Sequence, residues 1–135
     1  MGPRSVGSMS AATTGTGSGI KVGVVGSFGS AAQVLEMAVG AEDAGWDGFF
    51  SWDGLSLLSM PVDTFDPWAV LAAAAVRTER ITLGAMVFAL PRRKPWEVVR
   101  QALTVDHLSG GRLVLPVGVG VLRSEEHTSE LQSRP

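Results

Sequence analysis

Asp53 is the side chain in this sequence best placed to do chemistry. It follows the apolar run GFFSW and precedes Gly54. If that run is a strand of a parallel sheet, the carboxylate stands at its C-terminal end, where α/β folds gather their ligand chemistry. There it can hold a proton or a polar group of a ligand. As a plain turn residue it would close a bend with Gly54 instead. Both readings stand on sequence alone. The other charged cluster, Arg92-Arg93-Lys94, can meet a phosphate, although a solvated loop is the expected use of so short a run.

The remaining groups exclude more than they offer. The sequence has no cysteine, which removes disulfides, thiolate catalysis and cysteine metal sites. Its two histidines are His107 and His127. His107 falls near the end of a predicted helix, where the dipole favours it, and a histidine without partners makes no metal site. No metal is expected. A net charge of -2 gives no handle for nucleic acid or an acidic membrane surface. No apolar run approaches the roughly 18 residues that a membrane helix needs, and the first residues lack the apolar core of a secretory signal. A single cytoplasmic domain is expected.

Four βα periods position these groups. Strands are predicted near 20–25, 48–52, 81–88 and 112–119, as apolar runs rich in Val, Leu and Ile that suit a parallel sheet. Ser30 caps a helix running to about Ala44, with Val34, Leu35, Ala38 and Ala41 on its inner face and Gly45 as its stop. Asp66-Pro67 starts a second helix to about Thr78. Pro95 starts a third, which stops at Gly110-Gly111; Val98, Val99, Ala102, Leu103 and Val105 form its expected apolar face. The turn Gly26-Ser27-Phe28-Gly29 invites a phosphate-loop reading, but it has neither the G-x-G-x-x-G nor the G-K-[ST] spacing, so a tight turn is expected. Gly84 marks a bulge or a close backbone approach. Pro116 is odd inside a strand, because it cannot donate to a ladder. The loop 55–65 is apolar enough to lie over a pocket or a partner. Residues 1–19 read as a disordered leader.

Such a succession builds either a doubly wound sheet or a (β/α)8 barrel, and spacing does not choose between them. Three stretches do. AEDAGWDGFFSWD, DPWAVLAAAAVRTERITLG and LPRRKPWEVVRQALTVDHLSGGRLVLPVGVG, in this order, resemble the luciferase-like monooxygenase family. The resemblance covers about Ile20 to Gly120. It implies an α/β fold, the N-terminal half of a (β/α)8 TIM barrel with four parallel strands. It also implies an oxidoreductase that uses FMN or coenzyme F420 to move a hydride between the cofactor and an organic substrate or O₂. A non-proline cis peptide at Met86-Val87, just after Ala85, would back the flavin ring. Asp53 would stand beside the flavin, and Val119 and Gly120 close to it. These six residues form the expected cofactor site, and no catalytic side chain is assigned. Gly54 stands where many F420-using members carry His, Val121 where dehydrogenase members can carry Glu, and Pro116 where Gly is common.

The final stretch, RSEEHTSELQSRP, breaks with all that precedes it and resembles a translated sequencing adapter. Residues 123–135 are therefore expected to be foreign, and residues 20–122 to be part of a longer enzyme. The fragment itself is expected to be inactive. A small-molecule substrate and a homodimer are expected for the full-length parent, with no nucleic-acid or membrane partner. The alternative is a non-catalytic flavin-binding protein of the same fold. A doubly wound nucleotide-binding domain comes third, since its glycine fingerprint is missing.

Overall fold

A computed structural model describes residues 19–26, 28–55 and 63–120. Along the chain these form β1 (Gly23–Gly26), α1 (Ala31–Asp43), β2 (Gly48–Ser51), α2 (Pro67–Arg77), β3 (Thr82–Ala85), β4 (Phe88–Ala89), a 3-10 turn at Leu90–Arg92, α3 (Pro95–Ser109) and β5 (Val117–Gly118). The fold is α/β with parallel strands. β1, β2 and β3 lie side by side in sequence order, with Gly23 opposite Gly48 and Gly48 opposite Thr82. β4 pairs with β5, and a bridge joins Leu83 to Leu113, all parallel. The segment 113–118 therefore follows β3 and β4 as the next strand in the same order.

Local signals set the helix ends. Ser30 and Gln33 form a reciprocal capping box, Ser30 Oγ accepting from the Gln33 amide and Gln33 Oε1 from the Ser30 amide, which meets two of the donors a helix start leaves open. Those two donors are thus committed within the chain. Asp66 accepts from the Ala69 amide and Pro67 opens α2. Gly110 ends α3 at φ 66°, a left-handed conformation that glycine adopts at little cost.

Alternation along the strands divides the sheet into two faces. Phe49, Leu83 and Ala85 point toward the helices and share one core with Val34 and Ala38 of α1, Leu71 and Ala74 of α2, and Val105 of α3. Burying each large apolar side chain there contributes roughly 1.5–3 kcal/mol. α1 packs on β1 and β2, α2 on β2 and β3, and neighbouring helices pack on one another. The opposite face carries Val25, exposed, and Phe50, half-buried.

The structure corrects several expectations. The third strand is not continuous over 81–88: it breaks after Ala85 and resumes at Phe88. Gly84 is no bulge. It sits in register opposite Phe50, and a Cβ on it would stand 3.0 Å from the Phe50 ring and from Val114. Of the two readings of that glycine, the close approach holds and the bulge does not. The fourth strand, expected over 112–119, is reduced to Leu113 and Val117–Gly118. Pro116 lies between these pieces, where it contributes only its carbonyl, to the Phe88 amide at 2.8 Å. On α3 the inner face is Val98, Ala102, Val105 and Ser109, whereas Val99 and Leu103 are exposed beside Trp96. Most of the 1–19 leader, all of the 123–135 tail and the apolar part of the 55–65 loop lie outside the described residues.

Candidate functional site

The C-terminal ends of the strands converge on a backbone turn at Met86-Val87. The peptide bond between these two residues is cis, at the position the motifs indicated. Three contacts frame the turn. The Met86 amide donates to the Ser51 carbonyl at 2.8 Å, continuing the β2 ladder. The Phe88 amide reaches the Pro116 carbonyl on the far side. The Ala89 amide donates to Asp53 Oδ2 at 2.8 Å. Met86 is left 52% exposed and Val119, beyond β5, 64% exposed. Val87 packs over Gly118. Gly120 has φ 80°, a left-handed turn that suits glycine. Exposed Met86 and Val119, with Val87 over Gly118, are thus apolar groups near the C-terminal ends of β3 and β5, termed the shelf.

Asp53 stands two residues past the C-terminal end of β2, with its carboxylate held by arginines. It is 7% exposed. Arg93 grips it with both prongs, Nη1 to Oδ2 at 2.6 Å and Nη2 to Oδ1 at 2.7 Å. Arg92 donates to its carbonyl oxygen and lies 3.4 Å from Oδ1. Arg93 also approaches Asp66, at the cap of α2, at 3.9 Å. The expectation that Arg92 and Arg93 sit on a solvated loop is therefore corrected: both are partly buried, folded back onto the end of β2. A planar guanidinium matches a carboxylate in this two-pronged manner, which a lysine cannot do. Asp53 does not simply close a turn with Gly54 either. The Trp52 indole covers Gly54, and a Cβ there would fall 2.1 Å from Trp52 Cζ2, so Trp52 takes the space a larger residue at 54 would need.

The six expected site residues thus divide. Met86, Val87, Val119 and Gly120 lie on or beside the shelf. Ala85 is fully buried with its side chain in the helix-facing core, so only its backbone can contribute. Asp53 accepts from the Ala89 amide of β4, just past the turn. Sequence reasoning missed Arg93, whose partner is 40 residues away; its only signal was an arginine pair just before a helix start. His107, taken as structural, lies exposed in the last turn of α3. Among the described residues no group of three or more His, Cys, Asp or Glu can hold a metal ion, and no helix is long and apolar enough to cross a membrane.

Residues 6–130 match the family described as luciferase-like monooxygenase. The chain is 46% identical over 61 residues to 4-hydroxyprotoasukamycin monooxygenase of Streptomyces nodosus subsp. asukaensis, covering 45% of this chain and 16% of that protein. It is 33% identical over 105 residues to the F420-dependent glucose-6-phosphate dehydrogenase of Intrasporangium calvum, covering 69% of this chain and 28% of that one. A type II Baeyer-Villiger monooxygenase, the oxygenating constituent of 3,6-diketocamphane monooxygenase from Pseudomonas putida in complex with FMN, superposes with a TM-score of 0.67 at 22% identity. That match covers 82% of this chain and 32% of that one. The chain thus spans under a third of the length of each of these proteins.

Proposed function

The chain belongs to the luciferase-like monooxygenase family, and from that premise we propose that its full-length parent is an oxidoreductase using FMN or coenzyme F420. It transfers a hydride between the cofactor and a small organic substrate or O₂. The fold supports the N-terminal half of a (β/α)8 barrel. Strands run parallel in sequence order with the helices on one face, and right-handed crossovers give that arrangement in a barrel.

The observation that carries the reading is the shelf. A flavin or deazaflavin ring is flat and largely apolar, and its site needs apolar surface with close backbone approach. Exposed Met86 and Val119, half-buried Val87 and the glycines at 118 and 120 fit that need. Met86, Val87 and Val119 would hold the ring, with Gly120 beside them. When bound, the cofactor supplies the two-electron chemistry, while the protein supplies position and electrostatics. Arg92 and Arg93 are turned toward Asp53, so the cofactor's phosphate falls to residues beyond this set. Phosphate sites of such barrels follow strands seven and eight.

The exposed stripe Trp96, Val99 and Leu103 on α3 supports a homodimer of the parent. A cytoplasmic location is proposed with it. The commitment of Asp53 to Arg93 favours one second reading, a non-catalytic flavin-binding protein. Titration of the full-length protein with FMN and with F420, followed by fluorescence quenching, tests the first reading. Stoichiometric binding of one cofactor, with reoxidation of its reduced form by substrate or O₂ faster than in free solution, is expected. Binding without faster turnover selects the second reading, and no binding of either cofactor rejects both.

A further inference from the structure

The β2 ladder ends at Ser51, whose carbonyl takes the Met86 amide. Two residues on, the Asp53 side chain continues what the backbone no longer does and takes the Ala89 amide at 2.8 Å. Between these anchors lie Met86, Val87 and Phe88, and the Phe88 amide is fixed from the other side by Pro116. The turn that presents the shelf is thus held at three points, and only one of them is a side chain.

That side chain has little capacity left for a ligand. An ionised carboxylate offers about four acceptor sites on its two oxygens. Oδ2 already receives the Ala89 amide and Arg93 Nη1, and Oδ1 receives Arg93 Nη2 with Arg92 close by. Arg93 is itself anchored, its amide donating to the Leu90 carbonyl at 2.9 Å. A two-pronged guanidinium pair fixes orientation as well as charge.

We propose that Asp53 is a positioning residue that does not touch the cofactor: locked by Arg93, it sets the Met86-Val87 turn through the Ala89 amide. The inference rests on the shelf being the cofactor site. Removal of either member of the pair should then have the same consequence, because each acts through the other.

The test uses the full-length protein and two readouts. FMN and F420 are titrated by fluorescence quenching, and exchange of the Ala89 amide is followed in the cofactor-free protein. Asp53→Ala and Arg93→Ala should each weaken binding about tenfold and speed Ala89 exchange. The double variant should be no worse than the weaker single one, as expected of coupled neighbours. Asp53→Asn keeps an oxygen for the Ala89 amide but loses the charge and one prong of the Arg93 pair, so it should weaken binding and speed Ala89 exchange, though less than Asp53→Ala does. Loss of binding on Asp53→Ala with Arg93→Ala unchanged would mean direct contact with the cofactor and overturn the proposal. So would a multiplied, roughly hundredfold effect in the double variant, or unchanged affinity and exchange in all variants. If an alanine variant fails to fold, Arg93→Lys decides, since it keeps the charge and loses the fork. Weaker binding and faster Ala89 exchange support the proposal, and wild-type values overturn it. Wild-type protein that binds neither cofactor would remove the proposed function and this inference together.

Discussion

The side chain of Val87 fills the place where a Cβ on Gly118 would stand: Val87 Cγ2 is 2.6 Å from that position. The contact ties the turn after β3 to β5. Valine is stiff at χ1, so it cannot swing away cheaply. Gly118→Ala in the full-length protein should cost about 1–3 kcal/mol in stability, the usual range for overpacking, and lower flavin affinity as the turn shifts. Adding Val87→Ala should restore part of both. Urea unfolding and flavin titration check this; a Gly118→Ala variant indistinguishable from wild type in both would count against a tight shelf.

Glu42 gives a pH prediction. Its carboxylate accepts from the amides of Glu79, Arg80 and Ile81, joining the end of α1 to the entry of β3. Burial, the largest single influence, pushes the carboxyl up. The backbone hydrogen bonds from Glu79, Ile81 and Arg80, with the Arg80 charge, together outweigh it and hold the group below its ordinary value of 4.5. A group with a depressed folded value stabilises the fold fully above its unfolded value and loses that contribution as pH falls through the folded one. Stability should therefore drop on acidification below about pH 4.5, and Glu42→Gln should flatten that part of the curve. Urea midpoints measured from pH 7 to pH 3 check this. Equal acid slopes in variant and parent would remove Glu42 from the account.

Arg112 carries a second structural prediction. Its guanidinium donates to the carbonyls of Ser109, Ile81, Ala75 and Thr78 and to the Thr78 hydroxyl. Two of these carbonyls are at the end of α2, where a cation also meets the helix dipole. Leaving buried acceptors unmet costs about 1–3 kcal/mol each, before relaxation and water recover some of it. Arg112→Ala should therefore destabilise the full-length protein by about 3 kcal/mol, and Arg112→Lys should recover less than half of that loss. Urea unfolding measures both, and a loss below about 1 kcal/mol would show that water replaces the guanidinium readily.

Much of this was legible because it is local. Ser30, Asp66, Pro95 and Gly110 mark helix ends through contacts within a few residues, and the helix ends fall where they indicate. The Met86-Val87 cis bond was legible only through motif resemblance, since nothing in the residue types at that pair announces it. What escaped were contacts between distant segments. Arg92 and Arg93 read as solvated because their partner, Asp53, lies 40 residues before Arg93. Gly84 left a bulge and a close approach both open, because the Phe50 ring beside it belongs to another strand. On α3, periodicity gave an apolar face too wide by Val99 and Leu103. A helix with apolar residues on two sides does not announce which side meets its own sheet.

The 135-residue chain expressed as it stands leaves apolar surface and strand edges uncovered. The sheet face away from the helices leaves Val25 exposed, and Leu115, Val117 and Val119 are exposed along the last strand segment. Among the described residues β1 and β5 each have one neighbour only, and unpaired strand edges are templates for association. In a complete barrel both liabilities vanish together, because the sheet closes and its inner face fills with side chains from every strand. A whole domain is stable by only ~5–15 kcal/mol, so packing lost from one face can exceed the margin. The 135-residue chain should therefore self-associate, bind no stoichiometric FMN or F420 and show no oxidoreductase turnover. Deleting residues 123–135 should change none of this, whereas the full-length parent should unfold cooperatively and bind cofactor. Light scattering after size exclusion, thermal unfolding and flavin titration compare the three proteins. A monomeric 135-residue chain with one cooperative transition and one flavin bound would show that these strands are self-sufficient.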